Sequence, residues 1–167
     1  YNPIDDQMYG ISLGNAPVLY TVNTSNGAAT QTTTCEGGYI LGLTIDNDGR
    51  FFIIDTDIDG LCEINPATGA VISIWPADFT VNYGQDVSCD RETNTIYWAA
   101  YNADAGCSQL YSFDPMGGYT LIGAFSNQAS CFAIKTVKNL NAASAPTNLT
   151  ITPDPYEGLS ATLSWTN

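Results

Sequence analysis

Hydrophobic and polar residues alternate in short runs along most of the chain, and Gly, Pro, Asn and Asp separate the runs. β-Branched and aromatic residues fill these runs, which is typical of strands. Apolar residues do not recur at the spacing of an amphipathic helix. Near the middle of the chain the pattern predicts four consecutive strands: Ile40–Asp46, Arg50–Asp55, Gly60–Asn65 and Ala70–Trp75. The sequence therefore predicts an all-β fold.

The four-run unit repeats along the chain. Asn2, Asp46 and Asp90 each end a unit's first strand or its equivalent, and 44 residues separate each from the next. A second shared segment, in which Gly follows an Asn or Asp at a distance of four residues, begins at Leu19, Leu61 and Leu110. Periods in the mid-forties with four short strands per unit are typical of β-propeller blades.

The count of strands predicts about three blades. With strands termed A to D from the inside outward, the third unit supplies all four between Asp86 and Phe125, whereas the first supplies only B, C and D. Ser130–Val137 resembles a further A strand with no B strand after it. Because propellers have about four to eight blades, we expect a larger ring. Blades that precede Tyr1 in a longer polypeptide, or a second copy of the chain, would complete it.

Residues 1–137 resemble NHL and YWTD-like propellers in period and strand pattern, although they lack the signature peptides of both families. After a linker rich in small residues, 138–146, residues 147–167 resemble the start of a fibronectin type III domain, with a strand at Leu149–Thr152 and Trp165 at the place of that family's core Trp. Propellers followed by such modules resemble large secreted or surface-anchored bacterial proteins. The resemblance implies an extracellular or cell-surface location.

The net charge of the chain limits the classes of molecule that it can bind. Four Lys and Arg against 17 Asp and Glu give a formal net charge of −13. This excess repels nucleic-acid phosphates and anionic lipid headgroups. No apolar run approaches the roughly 18 residues of a membrane-spanning helix, so we expect neither nucleic-acid binding nor membrane insertion.

The residue content also limits the chemistry. The chain has no His, which excludes Ser-His-Asp and Cys-His nucleophile systems and His-ligated zinc within it. Five Cys lie far apart, and an odd number cannot all pair within one chain. We interpret them as small buried hydrophobes, with one or two disulfides as the alternative in an oxidising compartment.

In a four-stranded meander, the B–C and D–A connections lie at one end of the sheet and the A–B and C–D turns at the other. The B–C and D–A connections differ from unit to unit, and variable loops on a repeated scaffold are where binding usually resides. We expect a glycan or protein ligand there, on aromatic and polar side chains: Tyr39, Phe79, Tyr83, Tyr101, Asn102 and Asp104. The alternative is that most of the aromatic residues, Trp75 among them, pack between blades.

The segment Asp55–Gly60 is a candidate calcium loop. Asp55, Asp57 and Asp59 alternate and Gly60 follows, as in the first half of an EF-hand loop. The position of the bidentate Glu is Pro66, so the segment is not an EF-hand. The alternatives are a propeller-loop calcium site and a solvated acidic turn without any cofactor.

Together these features predict a non-catalytic binding or adhesion module without catalytic residues of its own. The alternative is the propeller part of a secreted hydrolase that acts on glycans or peptides, with its catalytic residues outside this chain or among its acids.

Overall fold

A computed structural model gives the fold of the chain. It describes residues 1–134, with the backbone of residues 147–153 and 161–166, so the predicted linker 138–146 lies outside the described residues. These ranges contain no helix, and hence none that could cross a membrane. The strands are β1 Met8–Ile11, β2 Val18–Val22, β3 Ala29–Thr34, β4 Ile40–Ile45, β5 Phe51–Asp55, β6 Gly60–Ile64, β7 Val71–Pro76, β8 Asp86–Asp90, β9 Thr95–Asn102, β10 Cys107–Asp114, β11 Gly118–Ala124, β12 Thr147–Pro153 and β13 Ala161–Thr166.

The first eleven strands form three antiparallel meanders. Sheet 1 has the order β1-β2-β3, sheet 2 the order β4-β5-β6-β7, and sheet 3 the order β8-β9-β10-β11. Each predicted strand of the second unit matches one of β4 to β7 within one residue, and β8 to β11 occupy Asp86–Ala124, where four strands were predicted between Asp86 and Phe125. The predictions of an all-β fold and of four-stranded second and third units are therefore confirmed, and within the described residues the first sheet has the three strands expected of it.

The predicted further A strand at Ser130–Val137 is not seen in its described part. Residues 130–134 have no strand structure. The Phe132 amide donates to a carboxylate oxygen of Asp86 in β8 at 3.0 Å, which is a side-chain acceptor and not the carbonyl of a paired strand. The segment does lie beside β8, an edge strand of sheet 3, where an A strand was expected, but without ladder pairing.

The tail is a separate unit, Val137–Asn167. Strands β12 and β13 pair antiparallel within it: β12 contains the predicted strand Leu149–Thr152, and β13 contains the position of Trp165. The side chain of Trp165 lies outside the described residues. The family of this unit stays a prediction.

Sheet 2 supplies the centre of the hydrophobic core. All five residues of β5 are buried, and successive side chains of a strand point to opposite faces. Phe51 and Ile53 pack in a largely aliphatic cluster with Leu19 of sheet 1. Phe52 and Ile54 pack in an aromatic cluster with residues of sheet 3 such as Trp98. The sheets therefore stand side by side, with apolar faces buried against each other.

Hydrogen bonding explains the repeated turns. The side chains of Asn2, Asp46 and Asp90 each accept a hydrogen bond from the backbone amide two residues later, at 3.0, 3.0 and 2.9 Å. The second repeated segment uses the same device, with Asn23, Asn65 and Asp114 as acceptors, each at 2.9 Å. Asn and Asp are the residues whose short side chains stabilise a turn in this way. The 44-residue repeat in the sequence is thus a repeat of turn geometry.

Candidate functional site

The connections of the three sheets fall into two sets, which we name the loop end and the turn end. The loop end comprises the connections β1–β2, β5–β6 and β9–β10 with β3–β4 and β7–β8, and the turn end comprises the remaining turns. Bonds link neighbouring sheets at the loop end: the Gly14 amide donates to the Ile40 carbonyl at 3.0 Å, and the Val81 amide donates to Asp59 Oδ1 at 2.8 Å.

A cleft of about 540 Å³ opens at the loop end between sheets 2 and 3. Its lining combines aromatic, hydroxyl, amide and carboxylate groups, contributed mainly by Tyr39, Thr56, Asp59, Thr80, Asn82 and Tyr83. Tyr39 and Tyr83 are 44% and 59% exposed. The structure therefore brings two of the predicted ligand residues, Tyr39 and Tyr83, together in one cleft.

Tyr83 has an unusual backbone. Its φ is 56°, in the left-handed region that bulky residues rarely occupy. Its amide donates to Asn82 Oδ1 at 2.8 Å, and its ring stands edge-on to that of Tyr101 with centroids 4.8 Å apart. Such outliers cost about 1–3 kcal/mol and cluster at functional sites.

Buried side chains hold the loop of Tyr83 in place. Gln85 is buried, and its Nε2 donates to the Asn82 carbonyl at 3.2 Å. Trp98 Nε1 donates in turn to Gln85 Oε1 at 2.9 Å from within the aromatic core. The orientation of Tyr83 is therefore tied to the packed interior of sheet 3, which favours a preformed site.

The opposite wall of the cleft is equally constrained. Asp59 also has a left-handed backbone, with φ 51°, and its carbonyl accepts a hydrogen bond from the Ala77 amide at 2.8 Å. Thr56 donates from its amide and its hydroxyl to the Tyr39 carbonyl, both at 3.1 Å. Both left-handed residues of the β5–β6 and β7–β8 connections thus line the same cleft.

Three further predicted residues lie in a second cleft of about 490 Å³ on sheet 3, away from Tyr39 and Tyr83. Phe79 is only 7% exposed, and its ring stacks on Tyr111 with centroids 4.7 Å apart, so its main role is packing in the core. Asn102 is buried, and its Nδ2 donates to Gln109 Oε1 at 2.9 Å. Asp104 is exposed and accepts from the Thr80 amide at 2.9 Å.

Ligand contact by Phe79 and Asn102 stays a prediction, and the burial of both side chains gives it little support. The sequence pattern places both in variable connections, but the inter-sheet core and a local amide network take up their side chains. Trp75 behaves like Phe79. It packs against the aromatic core, and its Nε1 donates to the Pro115 carbonyl of sheet 3 at 3.1 Å.

The acidic segment does not gather its carboxylates around one point. Asp55 is 2% exposed and accepts from the amides of Gly38 and Asp57, at 2.8 and 3.0 Å. Asp59 accepts from sheet 3, as described above. Among the described residues there is no group of three or more carboxylate or thiol side chains placed to hold a metal ion. Calcium binding by Asp55, Asp57 and Asp59 stays a prediction, and these contacts give it no ready-made ligand cage.

The cysteines of the described residues are all free thiols. Cys35, Cys62 and Cys89 are buried, as expected of small hydrophobes, whereas Cys131 is exposed. Burial raises the pKa of Cys62 to about 12 and that of Cys89 to about 11. Because the thiolate is the nucleophilic form, these two buried thiols are chemically inert near neutral pH.

Sequence reasoning missed Thr56, Asn82 and Gln85 as parts of the site. Asn82 and Gly84 are both residue types that are common in turns, so composition marks this segment as a connection but does not single out Asn82. Gln85 gave no signal, because its importance comes from the bond with Trp98, 13 residues later.

Comparisons with known proteins support the fold. No family model and no curated protein matches the chain. A structure of a Bacteroides thetaiotaomicron VPI-5482 protein of unknown function matches 69% of the chain with a TM-score of 0.56 and 16% identity. A chain from a nidogen–laminin complex matches 75% with a TM-score of 0.57 and 15% identity.

The chain spans 30% and 47% of the length of these two proteins. At such low identity, the similarity bears on the fold and on nothing else. Together with three meandering sheets packed face to face, it shows that the chain has an all-β, propeller-like fold.

Proposed function

We propose that the chain is part of a β-propeller that serves as a non-catalytic binding module, with its ligand in the cleft of Tyr39 and Tyr83. The observation that carries this proposal is the cleft itself. It combines two exposed tyrosines with hydroxyl, amide and carboxylate groups, on connections that hydrogen bonds hold in place. Binding sites of this kind combine apolar walls with a few fixed polar groups.

The favoured ligand is an uncharged glycan. A tyrosine ring offers a flat apolar surface for the apolar face of a sugar, while Thr56, Thr80 and Asn82 offer partners for hydroxyl groups. The net charge of −13 disfavours anionic polymers. An extended peptide is the other ligand class that fits such a lining, and the binding experiment below distinguishes the two.

A binding role without turnover is supported by the state of the acids. Of the carboxylates, Asp59 lines the cleft, and its Oδ1 already accepts the Val81 amide. Glycoside hydrolysis requires a pair of carboxylates on the two sides of the scissile bond. Hydrolysis of a bound glycan would support the alternative of a propeller-bearing hydrolase.

The finer assignments belong to the same proposal. The three sheets are taken as propeller blades of the type seen in NHL and YWTD-like proteins, and β12 and β13 as the start of a fibronectin type III domain. On this basis we place the protein outside the cell or on the surface of a bacterium, where its cleft contacts a glycan or protein ligand.

The test is a glycan array followed by calorimetry on the best binder, with a set of extended peptides in parallel. Tyr83→Ala should weaken binding by about twofold to tenfold, since an aromatic stacking contact contributes about 0.5–1.5 kcal/mol. Tyr1→Ala is the matched control, because Tyr1 is 50% exposed at the turn end. Equal affinity of the two variants would refute the cleft as the binding site.

Calcium is tested separately by thermal unfolding in excess calcium and in chelator. A ligand that binds only the folded state raises the midpoint by mass action. A midpoint shift that Asp57→Asn removes would establish the site, and identical midpoints in both buffers would dismiss it.

A further inference from the structure

The face of sheet 2 that packs on sheet 3 shows how deeply side chains are buried when another sheet covers them. Phe52, Ile54 and Leu61 lie on that face, and each is 0% exposed. Ile54 and Leu61 are direct partners across β5 and β6. Their burial comes from the aromatic cluster that they share with sheet 3.

Register identifies the same positions on sheet 3. The pair Phe51–Ile64 of sheet 2 faces sheet 1, and the pair Ile96–Phe113 of sheet 3 faces sheet 2. The residues that follow Phe51 and Ile96 along their strands therefore point to the opposite face of each sheet. Tyr97, Ala99 and Leu110 are thus the equivalents of Phe52, Ile54 and Leu61, and Ala99 pairs with Leu110. Ala99 is 0% exposed, whereas Tyr97 and Leu110 are only half-buried, although both are largely apolar.

A second set of contacts repeats from junction to junction. Between sheets 1 and 2, the Glu36 amide just after β3 donates to the Gly69 carbonyl in the β6–β7 turn at 2.7 Å. Between sheets 2 and 3, Trp75 near the end of β7 donates to Pro115 in the β10–β11 turn at 3.1 Å. At both junctions the end of one outer strand therefore bonds to the outer turn of the next sheet.

The chain after β11 follows the route expected toward another sheet. Phe125 donates to the Ser108 carbonyl at 2.8 Å, and the Ala129 amide donates to Ser108 Oγ at 2.9 Å. The Phe132 amide then reaches Asp86 of the edge strand β8. The segment crosses the inner part of this face and leaves the side chains of Tyr97 and Leu110 partly open.

We propose that the face of Tyr97 and Leu110 is a docking surface for one more β-sheet of the same build, carried by the same polypeptide. The occupant presents apolar residues at the positions of Ile96 and Trp98, and the carbonyls of its outer turn meet the end of β11. A second copy of the chain is disfavoured, because each copy carries −13 and association costs translational entropy that a covalently joined sheet avoids. This inference rests on the proposed propeller architecture, but not on the proposed ligand.

The test compares the polypeptide as its gene encodes it with the chain Tyr1–Asn167. Leu110→Asp should lower the thermal midpoint of the full polypeptide by about 5 °C or more, because it places a charge in a sheet-to-sheet core. In Tyr1–Asn167 the same change should shift the midpoint much less. Ile72→Asp is the matched control, since Ile72 is 56% exposed on outer strand β7.

Hydroxyl-radical labelling of the unmutated proteins provides a second measurement that does not depend on the variant folding. Tyr97 and Leu110 should be labelled in Tyr1–Asn167 and protected in the full polypeptide. Equal labelling, or a gene that encodes no further sheet, overturns the proposal. So does sedimentation of Tyr1–Asn167 as a dimer that Leu110→Asp dissociates, which would assign the surface to a second copy. Glycan binding has no bearing on these readouts.

Discussion

The chain reverses direction at both the turn end and the loop end of the sheets, but different interactions stabilise the reversals at the two ends. At the turn end, an Asn or Asp side chain accepts the amide two residues later in six turns of the described chain. Among the described loop-end connections only that of Asp55 uses this device, and three of them place Ala16, Asp59 or Tyr83 in a left-handed backbone conformation. The described turn end has left-handed residues only of types that tolerate this conformation, Asp6 and Asn94 besides glycines. Repetition therefore marks side chains that serve the fold, whereas the irregular connections carry both core side chains, such as Phe79, and exposed cleft side chains, such as Tyr39 and Tyr83.

The largest expected effect is at a turn-end glycine that also contacts the neighbouring sheet. Gly69 has φ 73°, and an added Cβ would lie 2.1 Å from the Thr34 carbonyl oxygen. Gly69→Ala should lower the free energy of unfolding by about 4 kcal/mol, from left-handed strain and from displacement of the adjoining backbone. Urea denaturation measures this loss.

Gly27 is the matched control in the equivalent turn. Its φ is 74°, but an added Cβ has no atom within 4 Å. Gly27→Ala should cost only about 1–2 kcal/mol, the backbone strain alone. If both substitutions cost the same, the contact between sheets 1 and 2 at Gly69 contributes nothing.

Asp46 gives the next largest effect. It is 1% exposed, and it accepts the amides of Asp48 and Arg50 as well as Arg50 Nε at 2.7 Å. Asp46→Ala leaves the amides of Asp48 and Arg50 and the Arg50 guanidinium without their acceptor and removes a buried side chain, so it should destabilise the protein by about 3 kcal/mol. Asp48→Ala, which changes a side chain that is 69% exposed, should stay within about 0.5 kcal/mol in the same urea titration. Comparable losses would contradict the structural role assigned to the repeated position.

The sequence predicted the turn end better than the loop end for a physical reason. Asx turns and glycines depend on local chemistry, so the 44-residue period of Asn2, Asp46 and Asp90 is visible in the order of residues alone. The placement of Phe79 depends instead on Tyr111, 32 residues away, and that of Gln85 on Trp98. Tyr39 and Tyr83 were found because they belong to variable connections, but their meeting in one cleft depends on how sheets 2 and 3 pack.

Alkaline pH probes the core that lies between the two ends. Burial raises the pKa of Cys62 to about 12 from 9.0, so the unfolded state ionises first. The stability contributed by the neutral thiol is complete below pH 9 and is lost as pH rises toward 12. Ionisation of Cys62 in the unfolded state should lower the free energy of unfolding by about 2 kcal/mol between pH 8 and pH 11.

Cys62→Ala should remove this part of the pH dependence, whatever its effect at neutral pH. Cys131→Ala is the control, because Cys131 is exposed and its thiol is not part of the core. Urea titrations at pH 8 and pH 11 measure both slopes. An unchanged slope in Cys62→Ala would show that this thiol does not ionise upon unfolding.

The smallest expected effect on stability is at Tyr83, and it is the sharpest contrast with the turn end. Asn tolerates a φ of 56° far better than Tyr does, so Tyr83→Asn relieves backbone strain while it loses the edge-on contact with Tyr101. These two effects oppose each other, so the free energy of unfolding should change by less than about 1 kcal/mol. Thermal unfolding of Tyr83→Asn beside Tyr101→Ala measures the balance. A loss as large as that of Asp46→Ala would mean that Tyr83 serves the fold. A near-zero change in the free energy of unfolding would mean that Tyr83 does not stabilise the fold. That result is expected of an exposed residue, in a strained backbone conformation, that serves to bind a ligand.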